Sequence, residues 1–163
     1  MPAGDNEKKL RCLVLERFGK KALSGKRSYA SFIDGHDDKV YISVDDSILL
    51  PDGSAILIEV DSGNYAKLIA GQYALVNGLF DGAREKTLFL VIHFYKSSKE
   101  KKEYSSGRTI KNLNAIQKFN PNAVWLPYAV LTFGEFSEIV SISNSVEELC
   151  TALWAISSAA ISV

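Results

Sequence analysis

Four carboxylates stand close together in the middle of the chain. Asp45 and Asp46 precede a Pro-Asp-Gly segment at residues 51–53, and Glu59 and Asp61 follow it. Because Pro presets φ at the first turn position and Gly tolerates positive φ at the last, this segment predicts a β-hairpin turn. Like charges brought together by a hairpin repel and raise one another's pKa unless a cation neutralises them. The pattern therefore predicts a metal site on the hairpin.

The hairpin register decides which Asp of the first arm faces the acids of the second arm. Glu59 and Asp61 are two residues apart on a strand, so their side chains share one face of the sheet. A three-residue loop at residues 51–53 places Asp45 opposite Glu59. A bulge or a four-residue loop places Asp46 there instead.

The segment resembles the PD-(D/E)xK nuclease superfamily, whose signature is an Asp on one hairpin strand, an acid-x-Lys on the next strand, and then a helix. Residues 46–50 (Asp-Ser-Ile-Leu-Leu) match the Asp and its apolar run, and residues 59–61 (Glu-Val-Asp) match the acid-x-Lys. The chain departs from the pattern at Asp61, which stands where Lys is expected. The resemblance covers residues 38–80.

Some branches of the superfamily replace this Lys. One has a Glu-Val-Asp-x-Gly form that residues 59–63 resemble. Others place a Lys on the following helix, where Lys67 is the candidate, or carry a Gln near a Tyr, as Gln72 and Tyr73 do here. The helical spacing over residues 64–80 puts Gln72 on the inner stripe, so its amide either bonds to the backbone or reaches the active site. Lys67 falls on a different side of the helix.

The resemblance implies a mixed α/β domain with a restriction-endonuclease-like core, in which helices flank a central mixed β-sheet. It implies metal-dependent hydrolysis of phosphodiester bonds, as in a DNA endonuclease. It favours Asp46 as the hairpin ligand, with Asp45 as the substitute, so that Asp46, Glu59 and Asp61 would bind Mg²⁺ or Mn²⁺ and a bound water would attack phosphorus. The implied catalytic residues are Asp46, Glu59, Asp61, Lys67 and Gln72.

Hydrophobic periodicity and turn residues predict the elements that position this site. Helices are predicted over residues 5–18, 64–80, 108–119 and 145–160, and strands over residues 28–33, 40–50, 55–61, 87–95 and 124–133. The nearly continuous apolar character of residues 87–95 predicts a central strand beside residues 55–61. We expect His93 in that strand to be a satisfied core histidine. Pro127 predicts an edge position or an irregular strand over residues 124–133.

Length and composition predict one domain over residues 1–163 with a core of sheet and helices. Cys12 and Cys150 lie in apolar helical patterns, which predicts reduced, buried thiols. The sequence shows neither a basic-then-apolar signal segment nor an apolar run near ~18 residues. We therefore expect a cytoplasmic protein that does not span a membrane.

The net charge is zero, but the charges are unevenly distributed. Residues 8–27 and 96–118 are rich in Lys and Arg, whereas residues 34–61 contain eight acids and one base. Basic segments on both sides of an acidic segment suit a site that binds a metal ion and contacts phosphates. A single Lys-rich loop, however, is usually solvated surface. The expected nucleic-acid contacts, with DNA as the expected partner, are Lys99, Lys101, Lys102, Arg108 and Lys111.

Two other classes of protein fit the same sequence. Asp61 in place of Lys favours a non-catalytic relative that binds nucleic acid or a protein partner. The zero net charge favours an unrelated α/β domain whose hairpin acids face solvent. The last predicted helix, over residues 145–160, provides either core residues or a face for a homodimer or a partner subunit.

Overall fold

The computed structural model of the chain describes residues 4–32, 38–94 and 106–157. Within these ranges the elements are α1 (Asp5–Phe18), β1 (Arg27–Phe32), β2 (Lys39–Val44), β3 (Asp46–Leu49), β4 (Ala55–Asp61), α2 (Ala66–Leu79), β5 (Thr87–His93), α3 (Gly107–Phe119), β6 (Tyr128–Thr132), α4 (Phe133–Ile142) and α5 (Val146–Ala155). A short 3₁₀ helix, Arg84–Lys86, precedes β5. None of the described helices is long and apolar enough to cross a membrane.

The main sheet has the strand order β3-β4-β5-β6. Strand β3 is antiparallel to β4, whereas β4, β5 and β6 run parallel to one another. The mixed α/β class with helices around a mixed sheet is thereby confirmed. Every residue of β4 and β5 is buried, which explains their nearly continuous apolar sequences. Strand β6 lies at the end of the strand order, as Pro127 predicted.

Helices cover both faces of the main sheet. On one face Ile56 and Ile58 pack in a core with side chains of α1, α4 and α5. On the other face Leu57 packs in a second core with α2 and α3, and its members include Tyr73 and Leu113. Burial of each large apolar side chain contributes about 1.5–3 kcal/mol. Since side chains alternate along β4, Glu59 and Asp61 belong to the same face as Leu57.

The predicted single strand over residues 40–50 is divided at Asp45, which corrects that prediction. Strand β2 pairs with β1 in a separate two-stranded antiparallel ribbon, whereas β3 joins the main sheet. The Asp45 N–H donates to the Ile58 carbonyl at 3.0 Å, although Ile58 is already the partner of Asp46. Asp45 is therefore an additional residue in the ladder, as in a β-bulge, and the chain passes from one sheet to the other there.

The end of the chain contains one more helix than predicted. Helix α4 directly follows β6 because Thr132 and Glu135 form a capping box. The Glu135 N–H donates to Thr132 Oγ1 at 3.2 Å, and the Thr132 N–H donates to Glu135 Oε2 at 2.7 Å. Helix α5 begins after Ser145, whose Oγ accepts the Glu148 N–H at 3.2 Å, so its start agrees with the helix predicted over residues 145–160.

The last helix contributes to the core. Leu149, Cys150 and Leu153 of α5 are buried on the α1 side of the sheet. The core interpretation of this helix is confirmed for these residues, and residues 158–163 lie outside the described part of the chain. Both cysteines are free thiols, but Cys12 is exposed rather than buried because it lies on the solvent side of α1.

Candidate functional site

A pocket of about 350 Å³ lies at the carboxyl end of β4. The first turn of α1 and the first turns of α2 meet there, so that residues distant in sequence share one cavity. Carboxylates and amides line its polar part, and two large apolar side chains stand at its rim. The lining residues are Gly4, Asn6, Glu7, Glu59, Val60, Asp61, Ser62, Tyr65, Leu68, Ile69 and Gln72.

Glu59 is the most perturbed acid of this pocket. Its side chain comes from near the carboxyl end of the buried strand β4, and the residue is only 5 % exposed. Burial and the neighbouring Asp45 carboxylate raise the pKa of Glu59 to about 8, with smaller contributions from Asp61 and Glu7. A hydrogen bond from Gln72 opposes this rise. The structure therefore brings Gln72 to Glu59, and its amide reaches the pocket rather than only the backbone beneath the helix.

Three acceptor oxygens of the pocket are buried without a hydrogen-bond partner. They are Asn6 Oδ1, Glu7 Oε2 and Glu59 Oε2. The Asn6 amide nitrogen donates to Ser62 Oγ at 2.8 Å, which leaves the oxygen of the same amide as the free atom. Buried polar atoms normally have partners, so a group that accepts oxygen ligands fits this pocket. Mg²⁺ and Mn²⁺ are such groups.

Asp61 has a structural role in this pocket. One of its oxygens accepts the Gly63 N–H at 3.0 Å, and the other accepts the Tyr65 N–H at 3.0 Å and lies 2.9 Å from His93 Nδ1. Burial would raise the pKa of Asp61, but hydrogen bonds from His93, Gly63 and Tyr65 outweigh it and lower the pKa. Asp61 thus fixes the loop between β4 and α2. His93 Nε2 lies 3.0 Å from Thr109 Oγ1, so His93 is the satisfied core histidine that the sequence predicted.

Replacing Asp61 with Asn should therefore destabilise the fold by about 1–3 kcal/mol, the usual cost of leaving buried donors poorly matched. The amide keeps the shape but offers only one acceptor oxygen to the donors of Gly63, Tyr65 and His93. Chemical denaturation at neutral pH measures the change. Asp52→Asn is the matched control, because Asp52 accepts the Ser54 N–H in an exposed turn, and its loss should be smaller. Equal stability of wild type and Asp61→Asn would contradict this role.

Asp46 does not join the other acids, which corrects its prediction as a metal ligand beside Glu59 and Asp61. Of the two alternatives for the hairpin, the three-residue loop is the one formed, and Asp46 pairs with Ile58. Paired residues share a face, so Asp46 lies on the α1 face of the sheet while Glu59 lies on the α2 face. There its carboxylate forms an ion pair with Arg11 and accepts the Gly25 N–H at 2.9 Å.

Asp45, the predicted substitute, is the hairpin acid that interacts electrostatically with Glu59. Its carboxylate accepts the Val60 N–H at 2.9 Å. Burial raises the pKa of Asp45, and the nearby Glu7 and Asp46 carboxylates raise it further. Asp45 is half-buried and stands beside the pocket rather than in its lining.

The basic residues predicted for the site lie away from the pocket lining. Lys67 is exposed on α2 and is not among the described residues that line the pocket. Arg108 and Lys111 are exposed on the first turns of α3. Helix α3 begins beside His93, which pairs with Asp61 across the ladder, so these two bases share an edge of the sheet with the pocket. Lys99, Lys101 and Lys102 lie outside the described residues.

Sequence reasoning missed Asn6, Glu7 and Tyr65. The polar start of α1, Asp5-Asn6-Glu7, is an ordinary first turn of a helix by composition, and only the packing of α1 brings it to β4. Within the described ranges, no group of three or more His, Cys, Asp and Glu residues could hold a metal ion. Comparison of the chain with protein-family models, with curated proteins and with solved structures found no match.

Proposed function

We propose that the chain is a divalent-cation-dependent hydrolase that cleaves phosphodiester bonds in DNA. The observation that supports this proposal is the set of buried, unpartnered oxygens of Asn6, Glu7 and Glu59 in one pocket. Acceptors without donors favour a cation, and burial, followed by the charge of Asp45, raises the pKa of Glu59, which a bound cation would oppose.

The proposed ligands are the carboxylates of Glu7 and Glu59 and the amide oxygen of Asn6. Mg²⁺ is usually held by one or two carboxylates and retains several waters, so a pocket with two free carboxylate oxygens suits it. This set replaces Asp46 and Asp61, whose carboxylates are occupied by Arg11 and by the loop before α2. A bound divalent cation would supply a water of lowered pKa as the nucleophile.

Glu59 and Gln72 have complementary roles in this proposal. With a pKa of about 8, Glu59 is largely protonated at neutral pH before a cation binds, and a cation at its carboxylate would displace that proton. Its carboxyl is oriented by the hydrogen bond from Gln72, a half-exposed side chain on α2. Asp45 acts through Glu59, because its charge helps to keep the pKa of Glu59 high.

The DNA substrate is proposed from the charges around the pocket. The pocket itself is acidic and repels phosphate without a cation, so further binding energy has to come from bases nearby. Arg108 and Lys111 are exposed at the same edge of the sheet and are the proposed phosphate contacts among the described residues. Binding through them would weaken as salt concentration rises.

A non-catalytic nucleic-acid-binding protein is the second candidate. It is favoured by one observation: none of the described residues that line the pocket is Lys or Arg, and the exposed Lys67 is outside that lining. The two candidates are separated by incubating the full chain with plasmid and with single-stranded DNA in Mg²⁺, Mn²⁺ or chelator. Cation-dependent cleavage supports the hydrolase, whereas cation-independent binding without cleavage in any of these conditions supports the second candidate.

Mg²⁺ or Mn²⁺ should also raise the melting temperature, because a ligand that binds only the native state stabilises it, by about 2.7 kcal/mol at a hundredfold excess over Kd. Ca²⁺ should stabilise the chain without cleavage. Thermal unfolding in chelator and in millimolar cation measures the shift. Glu7→Gln should reduce it, whereas Glu138→Gln, an exposed acid on α4, should retain it. The same melting temperature with and without cation would contradict the proposed site.

A further inference from the structure

Two large apolar side chains stand at the rim of the pocket. Tyr65 and Leu68 are each 61 % exposed, and both line the cavity whose polar part is formed by Glu7 and Glu59. Single exposed apolar residues are common on protein surfaces and need no explanation. Tyr65 differs from such residues because the loop before α2 holds it in one place.

The loop from Asp61 to Tyr65 positions the aromatic ring. Asp61 accepts the N–H groups of both Gly63 and Tyr65, which fixes the backbone, and Asn64 between them has a positive φ of 60°. The Tyr65 ring lies against the backbone of Gly63: a Cβ atom at Gly63 would be 2.6 Å from the ring Cζ. Gly63 therefore leaves the space that the ring occupies. With one side of the ring against Gly63, the rest of the Tyr65 side chain is exposed at the pocket that it lines.

The size of the pocket limits what its rim can contact. At about 350 Å³ it is in the lower range of cavities that enclose a single small molecule. A duplex keeps its bases paired and stacked on one another, so an aromatic ring at the rim of so small a pocket has no base to receive. A single strand offers unstacked bases next to its phosphates, and aromatic side chains are the usual stacking platforms for such bases.

We propose that Tyr65 is a substrate-positioning residue that stacks on a nucleobase of single-stranded nucleic acid while the adjacent phosphate enters the pocket. This inference rests on the proposed function and narrows its substrate to single strands. Stacking tolerates any base, so the rim provides affinity without sequence preference. Leu68, on the next turn of α2, extends the apolar surface beside the ring.

Binding of a labelled single-stranded thymidine oligonucleotide to the full chain in Ca²⁺ tests the proposal without cleavage. Tyr65→Ala is expected to weaken binding about tenfold or more, the effect typical of losing one stacked base. Tyr65→Trp should retain the affinity. Tyr41→Ala is the matched control, because Tyr41 is a 71 % exposed tyrosine on β2 and should leave the affinity unchanged. An abasic oligonucleotide should bind wild type as weakly as the thymidine oligonucleotide binds Tyr65→Ala.

Gly63→Ala tests the same placement while leaving the ring in the chain. Its methyl group has to displace the ring, so the affinity should fall as it does in Tyr65→Ala, and adding Gly63→Ala to Tyr65→Ala should cause no further loss. Melting temperatures of all variants confirm that they are folded.

Three results would overturn the inference: equal affinity of wild type and Tyr65→Ala, equal affinity for thymidine and abasic oligonucleotides, or no measurable single-strand binding by wild type. The hydrolase proposal fails separately. Loss of binding in Tyr65→Ala together with absence of cleavage in Mg²⁺ and Mn²⁺ would reject the hydrolase and keep the stacking role. Cleavage with full single-strand affinity in Tyr65→Ala would reject the stacking role alone.

Discussion

Cation-dependent cleavage by the Glu59→Gln variant should be at least about 10²-fold slower than cleavage by wild type, because the variant loses a charged ligand of the proposed cation. The substitution keeps the size of the side chain but removes a carboxylate from the proposed cation site. Initial rates on one DNA substrate in Mg²⁺ and in Mn²⁺ measure the loss.

The control for Glu59→Gln is the same substitution at an acid that lies far from the pocket. Glu138→Gln makes the same chemical change on the exposed side of α4, so its cleavage rate should equal that of wild type. Asp46→Asn is not a suitable control, because it removes the buried charge that pairs with Arg11. Cleavage that persists unchanged in Glu59→Gln would place the chemistry elsewhere and reject the pocket as the active site.

In the absence of divalent cations, the free energy of unfolding should fall as pH rises from about 4.5 to about 8. Glu59 has its ordinary pKa of 4.5 in the unfolded chain and a pKa of about 8 in the native state. Below the lower value both states hold the proton, and between the two values only the native state does. Stability is therefore lost as pH rises through this window, at about 1.4 kcal/mol for each pKa unit, or ~5 kcal/mol in all.

Urea denaturation at pH 5 and pH 8.5 in chelator measures this dependence. Glu59→Gln should be the more stable protein at pH 8.5 and should lose most of the pH dependence in this window. In Glu59→Gln a smaller decrease of stability with rising pH should remain, because burial also raises the pKa of Asp45. Saturating Mg²⁺ should reduce the loss in wild type by neutralising Glu59. Parallel pH curves for wild type and Glu59→Gln would contradict the buried, ionisable Glu59 described here.

The sequence was sufficient to predict the central strands of the fold, but it did not determine the face of the sheet on which Asp46 lies. Strands β4 and β5 are buried on both sides, so their apolar runs predicted both their existence and their pairing. The face of Asp46 depends on the register and on the bulge at Asp45, and a shift of one residue moves a side chain to the opposite face. The family pattern favoured Asp46, whereas the simple hairpin ladder gave its observed register.

The sequence likewise predicted some of the polar residues of the pocket and missed others. Glu59 and Gln72 were predicted because they lie on the strand and helix nearest to the turn. Asn6 and Glu7 were missed because their position depends on long-range packing of α1, which no local spacing encodes. Asp61 was assigned to chemistry, although its spacing before Gly63 and Tyr65 equally suits a side chain that accepts the backbone N–H groups of a turn.

The division of one predicted strand at Asp45 determines where the chain can change in length. An insertion in the exposed turn at residues 51–53 would lengthen a loop that faces solvent, at a small entropic cost. An insertion or deletion between β2 and β3 has no exposed loop to absorb it, so it would shift either β2 relative to β1 or β3 relative to β4. In the second case Ile48 would leave the core, and the Asp46 carboxylate would turn away from Arg11 toward Glu59. Natural variants of this domain should therefore differ in length at the turn and keep the spacing between the ribbon and the main sheet.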